Sequence, residues 1–578
     1  MSYILSLKKL LQQNDIYGYL IPIRDEFGCE YVPESAKRLQ FITGFTGSNG
    51  FAIITKQNNA FFTDGRYTLQ AKLEIDKNDF EIYDLANICE IQWLYKNTPE
   101  RSNIGYDASL FSIAKIEKYK AKLQEKNIKL VEIEKNLIDE VWKNKPKPSQ
   151  TKAIKLDKKY SGKSSKIKIK EICEKINGDF YLQTSSESIC WLLNIRGNDL
   201  PYTPVLLTYA LISKKGEIYL YGNLNALNKI ENDIEADVYL RDLKDIYKDI
   251  KSLSGKKIAT DCSLTSIKFK NILEKNKAQL THQSDICLEG RAIKNWVEIE
   301  NIKHAHIKDG AALTKFLYWL KTTKDKLSEI SIADKLEEFR KQNENFFSLS
   351  FDTIAGFNSN GAIIHYRADK KSNKKINGNG ILLLDSGAQY LQGTTDITRT
   401  ISIGKPTPEQ KKNFTLVLKG HIALASQKFL NGTSGAQLDI LARQFLWAEG
   451  LDYKHGTGHG VGCFLNVHEG PHAISRINHT PLQEGMIISN EPGYYKEGEY
   501  GIRIENLVLV KKSEQKDFLE FETLTKAPID ISLIDFSLLD KNEIKWLNDY
   551  HKQVIKDVSP YLNKQELAWL TKSIKVSK

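Results

Sequence analysis

No stretch of about 18 or more apolar residues occurs anywhere in the chain, so nothing in it reads as a membrane span. The N-terminal MSYILSLKKLLQQND lacks the apolar core and small-residue cleavage site of a secretory signal, and reads as a short amphipathic helix. A CxxC pair is also missing. The seven cysteines (Cys29, Cys89, Cys173, Cys190, Cys262, Cys287 and Cys463) are dispersed, a pattern expected of reduced thiols filling the core of a cytoplasmic protein. The net charge of +11 comes without an arginine-rich block or interleaved aromatics. Its lysines are scattered along exposed faces, so neither a nucleic-acid nor a membrane partner is expected. What remains is a soluble globular chain of 578 residues with ordinary apolar and charged fractions, too long for one core.

Two segments share an order of elements. YGYLIP, SAKRLQFITGFTG and FAIITKQNNAFFTDG read as strand, helix and hairpin, and GDFYLQT, SESICWLLNIRG and VLLTYALISKKGEIYLYG repeat the order. Gly44 and Gly197 are expected to close the two helices. Lysine and proline displace apolar residues in KNKPKPSQTK, residues 143 to 152, which marks the boundary between the copies. A third region starts near Lys294 with a long helical stretch. Later, Thr407, Pro408 and Gln410 form the N-cap, first position and capping-box partner of another helix. GAQLDILARQFLWAEG is expected to be a helix stopped at Gly450, and two helix-like pieces form a tail after about residue 530. The strand-like runs GILLLDSGAQY, GTTDITRTISI, GMIISNEP and YGIRIENLVLV imply an antiparallel sheet. The expected domains are therefore 1–142, 143–292 and 293–578, α/β (α+β) in class.

HEGPH, residues 468 to 472, has the letters of the zinc-protease signature, which needs a continuous helix to put both histidines on one face. Gly470 and Pro471 argue against that helix, so His468 and His472 are expected on a turn. The carboxylates point elsewhere. Asp385 ends ILLLD, and Asp396 follows eleven residues later across a turn; in a hairpin both can reach one point. Glu491 closes GMIISNE. Strict alternation in YGIRIENLVLV places Arg503 and Glu505 on one strand face. Four carboxylates in a sheet repel one another unless a cation intervenes, and with a histidine they make an oxygen-rich metal site. HGTGHGVG, residues 455 to 462, offers that histidine through His455 or His459. Arg503 is expected to orient a ligand or pair with a carboxylate. TDGRY, Asp64 to Tyr67, is expected to be a stabilising turn.

DSGAQYLQGTTDITRT, HGTGHGVG followed by NVHEGPH, SNEPGYY and YGIRIEN together resemble the metal-dependent peptidases of the pita-bread fold, particularly the three-domain aminopeptidase P family. FTGSNG and TDGRY in the first domain, IRGND in the second and WLNDYH in the tail extend the resemblance over nearly the whole chain. It implies two related N-terminal α/β domains of creatinase-like, ribonuclease-H-like topology before a pita-bread catalytic domain. It implies metal ligands at Asp385, Asp396, His459, Glu491 and Glu505, holding two divalent ions, typically Mn²⁺. It implies substrate-handling histidines at His365, His455 and His468, with Arg503 beside them, while His472 and His479 are left as exposed loop residues. The reaction implied is hydrolysis of the bond between an N-terminal residue and a following proline. A hydroxide bridging metals about 3.5 to 4 Å apart would attack, Glu491 would shuttle the proton, and His468 and His365 would stabilise the transition state. The partners implied are peptides with proline second and another copy of the chain in a cytoplasmic homodimer. Alternatives are a prolidase, which cuts X-Pro dipeptides, and a non-catalytic peptidase-like binding module.

Overall fold

The computed structural model describes residues 3–148 and 151–575. Met1 and Ser2 of the N-terminal segment, and Ser149 and Gln150 of the expected boundary, lie outside the described residues. The chain divides into two compact units, Met1–Lys158 with Lys163–Cys287, and Lys159–Gly162 with Leu288–Lys578.

The first unit contains two six-stranded sheets with the same topology. One runs Glu81–Asp84, Asn59–Thr63, Phe51–Thr55, Gly18–Pro22, Asn103–Tyr106, Lys129–Glu132. The other runs Val238–Asp242, Ile218–Gly222, Tyr209–Ser213, Phe180–Gln183, Lys257–Thr260, Gln279–His282. In each, the strand that begins the repeat pairs antiparallel with the hairpin on one side and parallel with a later strand on the other. Leu20 faces Ile53 across the first antiparallel pair and Leu182 faces Leu211 across the second. The expected order of strand, helix and hairpin is therefore present twice, with helices Arg38–Thr43 and Ser186–Leu193 in the corresponding places.

The helix stops differ between the copies. Gly44 closes the first in the left-handed region at φ 78°, as its sequence suggests. In the second, Asn194 takes that conformation at φ 53°, whereas Gly197 lies in the strand Ile195–Gly197. Asparagine tolerates the left-handed region well enough to displace the expected glycine stop. The copies also share a cap-to-cap junction. Ser112 and Ser266, which precede helices Ile113–Leu123 and Ile267–Lys275, form an antiparallel bridge. Ile113 N–H donates to Thr265 O at 2.9 Å, and Ile267 N–H returns the bond to Phe111 O at 2.8 Å.

In the second unit, Asn295 caps the helix Trp296–Thr322 and Glu298 completes its capping box. Thr407 and Gln410 do the same for Pro408–Ala425, with Pro408 in the first turn. The helix Gly435–Trp447 ends before Gly450, which occupies the following turn at φ 70°. The tail forms helices Lys541–Val558 and Lys564–Ser573, whose Leu547, Val554 and Leu570 join a core with Phe414, Leu418 and Ile504.

Two antiparallel sheets bring the site together. A three-stranded sheet runs Ile354–Phe357, Gly380–Ser386, Ile397–Ile403. A six-stranded sheet runs Lys428–Leu430, Phe518–Thr523, Asn506–Lys512, Ile487–Asn490, Gly458–Gly460, Glu469–Ile474. YGIRIENLVLV is not one strand. It breaks at Ile504 and Glu505, so that Tyr500–Arg503 pairs with Gly493–Lys496 while Asn506–Lys512 enters the six-stranded sheet. Apolar alternation does not register this break, because the residues on both sides of it are buried.

Candidate active site

The four carboxylates sit mostly at strand ends. Asp385 lies inside Gly380–Ser386, one residue before its end, opposite Thr398. Asp396 immediately precedes Ile397–Ile403, Glu491 follows Ile487–Asn490, and Glu505 occupies the break before Asn506. Leaving the ladder frees a side chain from strict alternation, and this allows groups from two sheets to converge. Ligand atoms of Asp396, His459 and Glu505 all lie within 4.8 Å of one another. His459 Nε2 is 3.4 Å from Asp396 Oδ2 and 3.5 Å from Glu491 Oε1. His459 lies on the strand Gly458–Gly460, its backbone N–H held by Ser489 Oγ at 2.9 Å, and the same hydroxyl donates to Glu491 Oε1 at 3.0 Å.

Crowding of like charges shows in the acidities. Burial, with Asp396 and Glu491 nearby, raises the Asp385 carboxyl to about 6 despite the opposing Arg503 guanidinium. Burial and then Asp396, Glu491 and Asp385 push Glu505 well above the carboxylate range. Burial opposes charge on His459, but the bond to Asp396 and the field of Glu491 prevail and raise it to about 9. Asp385 Oδ1 is buried and, among the described residues, has no hydrogen-bond partner. A buried, unpaired carboxylate oxygen beside three further carboxylates and an imidazole fits a divalent cation with mostly oxygen ligands.

Arg503 is 2% exposed and committed to the protein. Its Nη2 donates to Asp385 Oδ2 at 2.5 Å, its Nε to Thr398 Oγ1 at 3.0 Å and its Nη1 to Tyr495 OH at 2.6 Å. Thr398 Oγ1 donates in turn to Glu505 Oε2 at 2.8 Å. One guanidinium thus fixes two carboxylates, one directly and one through a hydroxyl.

The histidines are less uniform. His455 Nε2 is 2.8 Å from Tyr495 OH, and its Nδ1 is 3.9 Å from Glu491 Oε2. The His468 ring stands edge-on to that of His459, with centroids 4.4 Å apart. His365 is half-buried and follows Ile364, whose carbonyl accepts from Arg503 Nη1 at 3.4 Å. His479 is exposed, as expected, but His472 is not. HEGPH continues into the strand Glu469–Ile474, where His472 is 1% exposed and bonded through Nε2 to Ile487 O at 2.9 Å. Burial lowers it to about 4, so it is a neutral core residue of the sheet. The expected turn therefore covers His468 but not His472.

Tyr495, Thr398 and Ser489 have no assigned role in the sequence reading. Each lies within a quoted motif, but their polar atoms meet the ligands only through the tertiary fold. Asp64 to Tyr67 behaves as the expected turn: Arg66 Nη2 donates to Asp64 Oδ2 at 2.7 Å, and Arg66 N–H donates to Asp64 Oδ1.

Comparisons with known proteins cover the whole chain. Residues 300–512 match the metallopeptidase family M24 and 517–576 the C-terminal region of that family. Residues 4–141 and 144–298 each match a creatinase/prolidase N-terminal domain. A probable Xaa-Pro aminopeptidase P of Laccaria bicolor is 40% identical over 98% of this chain and 91% of its own length. One from Tuber melanosporum is 39% identical over 98% of each. Among solved structures, the X-prolyl aminopeptidase of Caenorhabditis elegans, described as a cytosolic enzyme with a di-nuclear active site, superposes with a TM-score of 0.94, at 32% identity and full coverage of both chains. The prolidase of Pyrococcus horikoshii superposes with a TM-score of 0.53 at 28% identity, covering 63% of this chain and 99% of its own. With its carboxylate-rich centre on a matching domain and this similarity along its full length, the chain belongs to metallopeptidase family M24, among the relatives named Xaa-Pro aminopeptidase P.

Proposed function

We propose that the protein is a metal-dependent aminopeptidase that hydrolyses the bond between an N-terminal residue and a following proline. The observation that carries this reading is the grouping of Asp396, His459 and Glu505 within 4.8 Å, with Glu491 3.5 Å from His459 and Asp385 in the field of Asp396, in a chain similar over its full length to Xaa-Pro aminopeptidases. These five residues would hold two divalent ions, with Mn²⁺ favoured by the oxygen-rich set. Such a pair supplies an activated water and polarises the scissile carbonyl.

The chain's own groups do the rest. The nitrogen in a bond before proline bears no hydrogen and departs as an amine, so it must receive a proton. Glu491 would deliver it; its second oxygen, 3.9 Å from His455 Nδ1, supports that reading. His468 and His365 would donate to the carbonyl oxygen as negative charge develops there. His455, held by Tyr495, would line the pocket for the proline ring. Arg503 works as a positioning residue, because its Nε, Nη1 and Nη2 donors are occupied by Thr398, Tyr495 and Asp385.

The domain limits that we carry forward are 1–142, 143–292 and 293–578, supported by the spans of the matching family regions. No described helix is long and apolar enough to cross a membrane. A cytosolic homodimer is the expected form, its location supported by similarity to the C. elegans enzyme; sedimentation at several concentrations tests the dimer.

A prolidase is the second reading, since solved prolidases share the catalytic fold. The test is cleavage of Arg-Pro-Pro and Arg-Pro by metal-stripped protein with and without Mn²⁺. Release of arginine from the tripeptide alone, restored by Mn²⁺, is expected. Cleavage of the dipeptide alone would make the enzyme a prolidase, and no metal-restored cleavage of either would overturn both readings.

A further inference from the structure

Behind the two glutamates lies a buried polar chain that reaches the C-terminal helix. Arg399, 2% exposed, donates through Nη1 to Glu505 O at 2.7 Å and through Nη2 to Asn506 Oδ1 at 2.8 Å and Tyr550 OH at 2.8 Å. Tyr550 belongs to the helix Lys541–Val558, and its hydroxyl donates in turn to Ala527 O at 2.7 Å. Asn506 Nδ2 is 3.1 Å from His421 Nε2, and His421 Nδ1 is 3.1 Å from Asn490 O. Asn490 Nδ2 closes the circuit on His421 O at 2.9 Å. Asn490 and Asn506 are paired across neighbouring strands. The first directly precedes Glu491 and the second directly follows Glu505.

The direction of every bond is determined by one group. A guanidinium can only donate, so Asn506 must turn its oxygen to Arg399 and its amide hydrogens to His421. His421 Nε2 must then be a lone pair, and its proton must sit on Nδ1, facing the Asn490 carbonyl. Burial and then Arg399 lower His421 to about 3, in keeping with a neutral ring that serves as a fixed two-ended connector. Trp546, on the same helix, stacks on Tyr550 at 5.4 Å and meets the His421 ring edge-on at 5.9 Å, packing the helix against His421.

We infer that Arg399, Asn506, His421 and Tyr550 are positioning residues that set the separation of Glu491 and Glu505, and that the C-terminal helix is in this way part of the metal centre. The inference rests on the reading of those glutamates as ligands. It gives a role to four buried polar residues that are hydrogen-bonded to one another behind the two ligand-bearing strands.

Titration of chelator-stripped full-length protein with Mn²⁺ by calorimetry, alongside the melting temperature of the metal-free form, tests it. Asn506→Leu and Tyr550→Phe are the variants; the second removes one hydroxyl and keeps the stack on Trp546. Outer partners of metal ligands commonly contribute 10- to 100-fold in affinity, so Asn506→Leu should weaken at least one Mn²⁺ by about that factor and Tyr550→Phe by about 10-fold. Unchanged Mn²⁺ affinity in a folded Asn506→Leu or in Tyr550→Phe, even with a lowered metal-free melting temperature, would overturn the inference and leave the chain a structural one. Should Asn506→Leu fail to fold, Tyr550→Phe decides alone. Failure of the wild-type protein to bind Mn²⁺ would overturn the metal-centre reading instead.

Discussion

Asp64 and Asp139 in the first unit each have a cation beside them, whereas the four carboxylates of the candidate site in the second unit crowd one another. Asp64 accepts from Arg66 and Asn49, and Asp139 accepts from Arg38 and Lys145. Though burial opposes it, these partners hold both carboxyls below their usual range. Of Asp385, Asp396, Glu491 and Glu505, Asp385 is the one that accepts directly from the Arg503 guanidinium, and both Asp385 and Glu505 are pushed upward by burial and by their carboxylate neighbours. The same residue types therefore pair locally at Asp64 and Asp139 and leave the candidate site with crowded carboxylates that an added cation would balance.

The comparison breaks most sharply if the crowded carboxylates prove dispensable. Asp396→Ala is expected to abolish Mn²⁺-restored cleavage of Arg-Pro-Pro, and Glu491→Gln to lower kcat by about 10² to 10⁴-fold, the range of a lost acid–base group. Arg503→Met leaves Asp385 buried without its cation, and unfolding in denaturant should show a loss of about 3 to 5 kcal/mol, the cost of breaking a buried pair. Mn²⁺ at 100 times its dissociation constant should stabilise the stripped wild-type protein by about 2.7 kcal/mol for each site filled. Glu505→Gln should reduce or remove that gain in a melting experiment.

The smallest effect belongs to the first unit. Asp139 is partly exposed, so Asp139→Asn should cost at most about 1 kcal/mol at neutral pH and leave cleavage unchanged. Its folded pKa lies below the unfolded value near 3.9, so the pair stabilises the fold above that pH and loses this contribution as pH falls through the folded value. Melting curves of wild type and Asp139→Asn should therefore converge below about pH 4. Curves that stay parallel would remove the distinction between the two units.

Much of this contrast was legible in the letters. The repeat of strand, helix and hairpin showed itself because apolar runs and turn residues are local signals, as was the Thr407 cap. The carboxylates stood out because charge inside an apolar strand is costly. What stayed hidden depends on contacts distant in sequence. Arg399 looks like any alternating polar residue until its carbonyl partners at Ala527 and Pro528 fold against it. Glycine and proline around His472 suggest a turn, while burial in the sheet, against Ile487 on the adjoining strand, keeps the ring neutral. The break at Glu505 was likewise invisible to periodicity, since leaving one sheet for another keeps both flanks apolar.

The bridge between Ser112 and Ser266 bears on how the N-terminal unit came to behave as one body. Each copy of the repeat supplies the carbonyl that receives the first helical N–H of the other, at Thr265 and Phe111. A lone copy would have to leave that donor to solvent at the start of a helix whose first residue, Ile113 or Ile267, is buried. Nicked after residue 142, the two halves are expected to remain associated and to melt in a single transition, as an ancestral dimer would whose subunits have been joined into one chain.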